Sequence, residues 1–384
     1  ICIGGFGSVF WMWVIAIIGS ASALIESTLA QIYKRKGKDG ECYGGPAYYI
    51  EAALHCRTLA IIFCISMIAT YAFGFNMLAS YNLQSTFSGF SFYDTKWTPW
   101  IIGGILALIT GWCLLGGGSR IVKVTSTLVP AMGVAYILIA VIVMIINHAY
   151  LPVVFSKIIS EAFDFKAIFG AFAGSAMMQG IRRGLYSNEA GIGSAPNASA
   201  SAQVSHPIKQ GLVQMLSVFI DTLLLCTATA MMCLSSGIAP AQELQGAPWV
   251  QAALHESLGN FGPLFITVAM VLFAFTTLLG NCFYCDNLLN YIHKGQPSKT
   301  FMKGFRIVSA LVVFIGAGME VSMLWNISDV LMGVMALINI PVILILSNTA
   351  LKALEDYEKQ KKNGENPVFK TGNIGLEYET DYWS

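Results

Sequence analysis

Nine stretches of the chain are apolar over lengths near or beyond the ~20 residues that carry a helix across a bilayer. They lie at 8–33, 59–87, 98–115, 122–147, 165–180, 211–236, 262–292, 307–318 and 321–347, the fifth and eighth being short. Three connections have patterns of their own. "GGPAYYIEAAL" (44–54) predicts a short interfacial helix after a Gly-Gly-Pro turn. "QELQGAPWVQAALHESLGNFGP" (242–263) has the spacing of a short amphipathic helix ending at Gly259, either a lid over a cavity mouth or an ordinary surface loop. "ALKALEDYEKQKK" (350–362) predicts a charged amphipathic helix that extends into solvent. The domain reading is a transmembrane bundle over 1–349 and a tail over 350–384.

Composition agrees with a membrane protein: 55% of residues are hydrophobic, 11% are charged and the mean hydropathy is +0.64. The net charge of +1 gives no reason to expect nucleic acid or an acidic partner. The positions of the charges say more. If the "KRKGKDG" connection (34–40) is cytoplasmic, alternating sides leave only Lys96, Lys157 and Lys166 outside, with 19 of the 22 basic residues inside. That asymmetry supports nine spans and a cytoplasmic carboxyl terminus, in a plasma membrane. Nine cysteines, several inside apolar runs, do not suggest a disulfide framework and read as small buried hydrophobes. No positively charged leader precedes the first run, and the chain opens on Ile1; we expect the natural protein to begin earlier.

Within the spans, irregular backbone survives only where it is buried or lines a cavity. Gly170 and Gly174 in "GAFAGSAMMQG" have GxxxG spacing, read either as close helix packing or as a break at Gly174 and Ser175 that exposes backbone to a ligand. Thr276 and Thr277 are adjacent hydroxyls halfway along a span, with Asn281 one turn later. Such oxygens suit a hard cation such as sodium, or simply bond their own helix carbonyls. Ionisable residues inside spans are functional candidates. Asp221 is the clearest, Glu26 stands two turns from Lys34, and Glu189 has Arg182 and Arg183 nearby in sequence for an ion-pair latch. "CFYC" lacks the second Cys pair that a zinc site needs. The sequence has no GxxxxGK[ST] loop, no HExxH and no nucleophile elbow, so an enzyme reading has no residues to stand on.

"GGFGSVFWMW" (4–13), "GIRRGLYSNEAGIGSAPNASASAQVSHPIKQGLVQMLSVFIDT" (180–222), "GGPAYYIE", "GGGSRIVKVTS" and "NIGLEYETDYW" together resemble the alanine or glycine:cation symporters, the sodium:alanine symporter family. The resemblance implies an all-α membrane protein of LeuT type, an inverted-repeat bundle of the APC superfamily. It also implies that the family's amino-terminal helices, including the first core helix, are missing here. The first span would be the second core helix, and 165–180 the sixth, broken at Gly174 and Ser175. On this resemblance the substrate-facing residues are Asn76, Gly174, Ser175, Gln179 and Asn281. Thr276 and Thr277 would serve a sodium site, and Arg182, Arg183, Glu189 and Asp221 would act in gating, with the arginines and Glu189 at the cytoplasmic exit.

Two departures from the family pattern bear on substrate. The family reads like "GWxYYGE" where this chain has "GNCFYCD", so Asn281 stands in place of a bulky tryptophan. Ala79 stands where a glutamine is common. An amide in place of an indole enlarges a pocket and adds a donor and an acceptor. The expectation is therefore sodium-coupled symport of a small neutral amino acid, alanine or glycine and by extension glutamine, by a monomer. The alternatives are a proton-coupled carrier, with Asp221 or Glu26 titrating, and a non-transporting receptor or regulatory membrane protein.

Overall fold

A computed structural model describes residues 1–37, 41–115, 118–164, 175–239, 244–376 and 380–383. The elements are α1 (Gly7–Ile32), a two-stranded hairpin of β1 (Arg35–Lys36) and β2 (Cys42–Tyr43), α2 (Pro46–Leu54), α3 (Arg57–Ser85), α4 (Thr98–Leu115) and α5 (Gly118–Ile146). Then follow α6 (Leu151–Ala162), α7 (Ala176–Asn188), α8 (Ala195–Ser199), α9 (Pro207–Ser235), α10 (Ala247–Leu258), α11 (Phe261–Ile292), α12 (Lys299–Ala317) and α13 (Val321–Lys362). Among the described residues, eight helices are long and apolar enough to span a membrane, matching eight of the nine runs. The protein is a multi-pass helical membrane protein. The ninth run, 165–180, falls mostly outside the described residues, Gly170 and Gly174 among them.

The helices turn small residues inward and large ones outward, as bundles in lipid do. On α1, Ala16, Gly19, Ser20 and Ala23 are buried while Ile17 and Ile18 are exposed. The small positions let helices touch. A Cβ on Gly7 would stand 2.5 Å from the Ala162 backbone nitrogen, one on Gly180 2.4 Å from the Ser8 carbonyl oxygen, and one on Gly211 2.9 Å from the Leu24 carbonyl oxygen. Those glycines set α6, α7 and α9 against α1. The indoles of the "WMW" motif complete this junction: Trp11 Nε1 donates to the Ala162 carbonyl and Trp13 Nε1 to Thr227 Oγ1. A second group forms from α3, α4, α11 and α12, where Gly316 packs directly on the Met77 backbone and Ser80 donates to the Val313 carbonyl. α13 touches both groups.

Two spanning helices widen into π-helical turns, α3 at Ala69–Phe75 and α9 at Phe219–Cys226. Such turns displace side chains from the regular 3.6-residue register and recur at functional sites. The 44–54 segment is the predicted short helix, entered through Gly45 at φ 125°. The 242–263 segment contains α10, ended by Gly259 at φ 59°.

The charged segment 350–362 does not hang free. It continues the last span as one helix, α13, with Ala350 and Ala353 buried, so the expected boundary at 350 falls inside an unbroken element. The chain beyond it folds back. Phe369 N donates to the Ser205 carbonyl, Ser205 Oγ to the Pro367 carbonyl, and Trp383 Nε1 to the Gln31 carbonyl in the last turn of α1. Lys34 is thereby sealed to 1% exposure, its ammonium 3.7 Å from the Tyr382 ring centroid and bonded to the Ala202 carbonyl.

Candidate functional site

The motif behind α7 explains itself residue by residue. α7 begins at Ser175, which is extended (φ −64°, ψ 155°) and accepts a hydrogen bond from Met178 N on its hydroxyl. The 165–180 run is therefore not one uninterrupted helix. α7 ends at Glu189, which adopts the left-handed region at φ 56°, and Gly191 and Gly193 follow at φ 83° and 88°. Glycine tolerates this backbone because it carries no Cβ. The resulting turn is held by Glu26 of α1, whose carboxylate accepts from Gly191 N and from Asn339 Nδ2. Asn339 also donates to the Gly191 carbonyl and accepts from the Tyr49 hydroxyl. Glu26 and Asn339 thus join α1, α2, α13 and the Gly-rich turn into one buried knot.

Asn197 of α8 makes the next joint. Its amide donates to the Gly193 and Ser194 carbonyls, and Asn287 of α11 donates to Asn197 Oδ1 and to the Gly44 carbonyl.

The charged residues of the motif separate. Arg183 forms an ion pair with Asp329 of α13 and Arg182 stands 3.6 Å from the same carboxylate. The Arg183 guanidinium also lies 4.0 Å from the Trp325 ring centroid. Glu189, the partner expected from sequence, instead accepts from Ser194 Oγ and, at 3.4 Å, from the Tyr284 hydroxyl of α11. The reason is where the helix ends: α7 stops at Asn188, and the left-handed turn at Glu189 takes that side chain off the helix and toward α11, while Arg183, six positions earlier, points to another face. Nor do the arginines stand at the tail end of the bundle. Gly184 packs on Met12 and Ile15, so they sit beside the half of α1 away from Lys34.

Asn76 and Asn281 are brought together. Asn281 Nδ2 donates to Asn76 Oδ1 at 2.9 Å, and Asn76 Nδ2 donates to the Ala72 carbonyl. Both are buried. The donor that sequence analysis assigned to an enlarged pocket is thus spent between α3 and α11. Thr276 and Thr277 both donate to carbonyls of their own helix. Thr276 is buried, whereas Thr277 is exposed and shares a helix face with Phe273 and Tyr284. Gln179 packs against Gly4.

Asp221 sits on the π turn of α9. Its Oδ2 accepts from Ser187 Oγ at 2.5 Å and from Thr222 Oγ1 at 3.0 Å. It lines a cavity of about 290 Å³ with Tyr136, Thr229, Met270 and Phe273.

Sequence reasoning missed Asp329, Trp325, Asn339, Tyr284 and Ser187. Asp329 was findable, being an acid inside an apolar run. The others carry no signal until the fold places them.

The sequence that builds this arrangement has known relatives. The family model for the sodium:alanine symporter family matches residues 1–371. The amino-acid carrier protein AlsT of Bacillus subtilis is 43% identical, over 97% of this chain and 78% of its own length. The same bacterium's "Probable sodium/glutamine symporter GlnT" is 41% identical, over 96% of this chain and 76% of its own. The sodium/alanine symporter AgcS of Methanococcus maripaludis is 36% identical, over 94% and 79%. With a match that runs through every described span, the chain belongs to the sodium:alanine symporter family.

Proposed function

We propose that the chain carries a small neutral amino acid across the plasma membrane together with sodium, by alternating access within a LeuT-type inverted-repeat fold. The observation that carries this reading is the match to sodium symporters over residues 1–371, on a bundle of eight candidate spans. Two packing groups support the mechanism: α1, α7 and α9 on one side, α3, α4, α11 and α12 on the other, with α13 bridging them. Rocking of one against the other opens each face in turn.

The extended backbone at Ser175 favours a broken helix there, with Gly174, Ser175 and Gln179 on the substrate side. The Asn76–Asn281 amide pair would fix the spacing of α3 and α11 beside the substrate. Thr276 and Thr277 would serve the sodium ion. A hydroxyl that donates its hydrogen to a helix carbonyl keeps its lone pairs, so their back-bonding is compatible with a cation. Arg182 and Arg183 with Asp329 would form a gate on the outer half, since they lie away from the Lys34 end that the positive-inside rule puts in the cytoplasm. Glu189, bonded to Ser194 and Tyr284, would tie α7 to α11 while that gate is shut. α10 would act as a lid, and the carrier would work as a monomer.

Labelled alanine and glutamine uptake into proteoliposomes tests this. The expected result is accumulation driven by an inward sodium gradient, with glutamine competing. Uptake indifferent to sodium would overturn the coupling, and uptake restricted to alanine and glycine would overturn the glutamine extension.

A further inference from the structure

Asp221 is an acid in the middle of a spanning helix, and its neighbours define what it can bind. Its Oδ2 is occupied by two hydroxyl donors, Ser187 of α7 and Thr222 of its own helix. Asp221 also lines the cavity of about 290 Å³ between α9, α5, α10 and α11. None of the ten residues lining that cavity is Lys, Arg or His. The cavity's other polar group is the Tyr136–Thr229 hydroxyl pair, 2.8 Å apart. Thr229 donates to the Leu225 carbonyl, so Tyr136 donates to Thr229 and turns its own lone pairs toward the space.

A carboxylate at this depth without a basic partner costs several kcal/mol unless a cation neutralises it. Among the described residues no side chain does so. The oxygen donors at hand are the carboxylate, the Ser187 hydroxyl bonded to it and the Tyr136–Thr229 pair on the cavity wall. An all-oxygen set without thiolate or imidazole suits a hard cation. Cys226 Sγ lies 3.0 Å from Ser187 Oγ and also lines the cavity, but sulfur is a soft ligand that a hard cation does not prefer. The π turn at Phe219–Cys226 places Asp221 where a regular helix would not.

We infer that Asp221, with Ser187, forms a sodium site distinct from the threonine hydroxyls of α11. This inference rests on the symport reading and deepens it: the carrier would take at least two sodium ions per cycle. One of them bridges α7 and α9, so its occupancy holds together two members of the same packing group. Asp221 is then a cation ligand rather than part of the arginine gate.

The test is ²²Na⁺ binding to the purified full-length carrier without substrate, paired with the sodium dependence of alanine binding. Wild type should show a Hill slope near 2 for sodium. Asp221→Asn should lower the slope to near 1, remove one of two bound ²²Na⁺ and raise the half-saturating sodium concentration at least tenfold. Asp221→Glu should keep the slope. Ser187→Ala leaves the carboxylate and the helix contacts in place and guards against a misfolded Asp221→Asn; it should weaken sodium severalfold. Unchanged ²²Na⁺ binding in Asp221→Asn and Ser187→Ala overturns the site. So does a loss of pH dependence in Asp221→Asn with sodium binding intact, since Asp221 would then carry a proton. Absence of any sodium effect in wild type would instead sink the symport reading itself.

Discussion

Arg183 and Lys34 are both cations withdrawn from water, at different levels of the bundle, and their charges are met in opposite ways. Arg183 has a carboxylate, Asp329, and an indole face, Trp325. Among the described residues, Lys34 is met by the Ala202 carbonyl and the rings of Tyr382 and Trp383 rather than by a carboxylate. The first arrangement joins α7 to α13 through an ionic contact that water could replace if the helices part, as the proposed gate requires. The second joins the end of α1 to the tail through packed aromatic surface, which loses its energy as soon as it loosens. A contact that would serve as the proposed gate and one that fastens the tail are thus built from the same kind of residue.

The comparison breaks most sharply at Asp329. Asp329→Asn leaves Arg183 without its anion, and losing one partner of a buried pair costs about 3 kcal/mol or more. The half-buried Arg183 should sit at the lower end of that range. We expect uptake to fall at least a hundredfold and the melting temperature to drop. Arg183→Gln/Asp329→Asn should recover part of the stability, and additive losses in that double-mutant cycle would refute the coupling.

Lys34 should behave in reverse. Burial lowers its pKa from 10.5 to about 8, so the charged form is disfavoured in the folded chain. Between those values the unfolded chain holds the proton and the folded chain does not, so stability rises with pH across that window. The gain is about 3 kcal/mol. Thermal unfolding from pH 7.5 to 10.5 should show this rise, and Lys34→Met should flatten it while leaving neutral-pH stability equal or higher. A stability loss in Lys34→Met would mean that the aromatic contacts outweigh burial.

Trp383→Phe removes the indole donor to the Gln31 carbonyl and keeps the ring. The expected cost is about 1 kcal/mol. Amide exchange in 367–383 should quicken severalfold with α1 unchanged.

The smallest effect concerns His206, packed between Tyr357 and Phe369 with Asp356 at 3.3 Å. Burial lowers its pKa, and Asp356 offsets this only in part. The unfolded state therefore takes up the proton first, and tail docking should weaken as pH falls through 6.5, the ordinary value. His206→Phe should remove that sensitivity; identical exchange at pH 5.5 and 7.5 in wild type would contradict it.

The fold was legible where burial in lipid dictates composition. Apolar runs marked the eight spans, Gly-Gly-Pro marked α2, and Gly259 marked the end of α10. The site was legible only in its residue types. Arg183 announced a partner, but nothing local says that it lies 146 positions away on α13 instead of six away at Glu189. Asn281 announced an amide where an indole is usual, yet whether that amide faces a substrate or another helix depends on Asn76, 205 positions earlier. The tail read as solvated because its charges are real; its buried side is carried by Ala350, Ala353, Phe369 and Trp383, spread too thinly for periodicity to show.

The hydrogen bond from Trp383 to Gln31 closes a loop of 352 positions. Gln31 belongs to α1, and Trp383 leaves the ribosome only after every span between them. The last turn of α1 and the Lys34 ammonium must therefore wait in the interface, hydrated, until synthesis reaches the tail. The order of events is then fixed by connectivity: the bundle inserts first and its lower edge is fastened last. A fusion partner placed directly after Trp383 would act on that final step, altering how many chains mature without touching any group on the transport path.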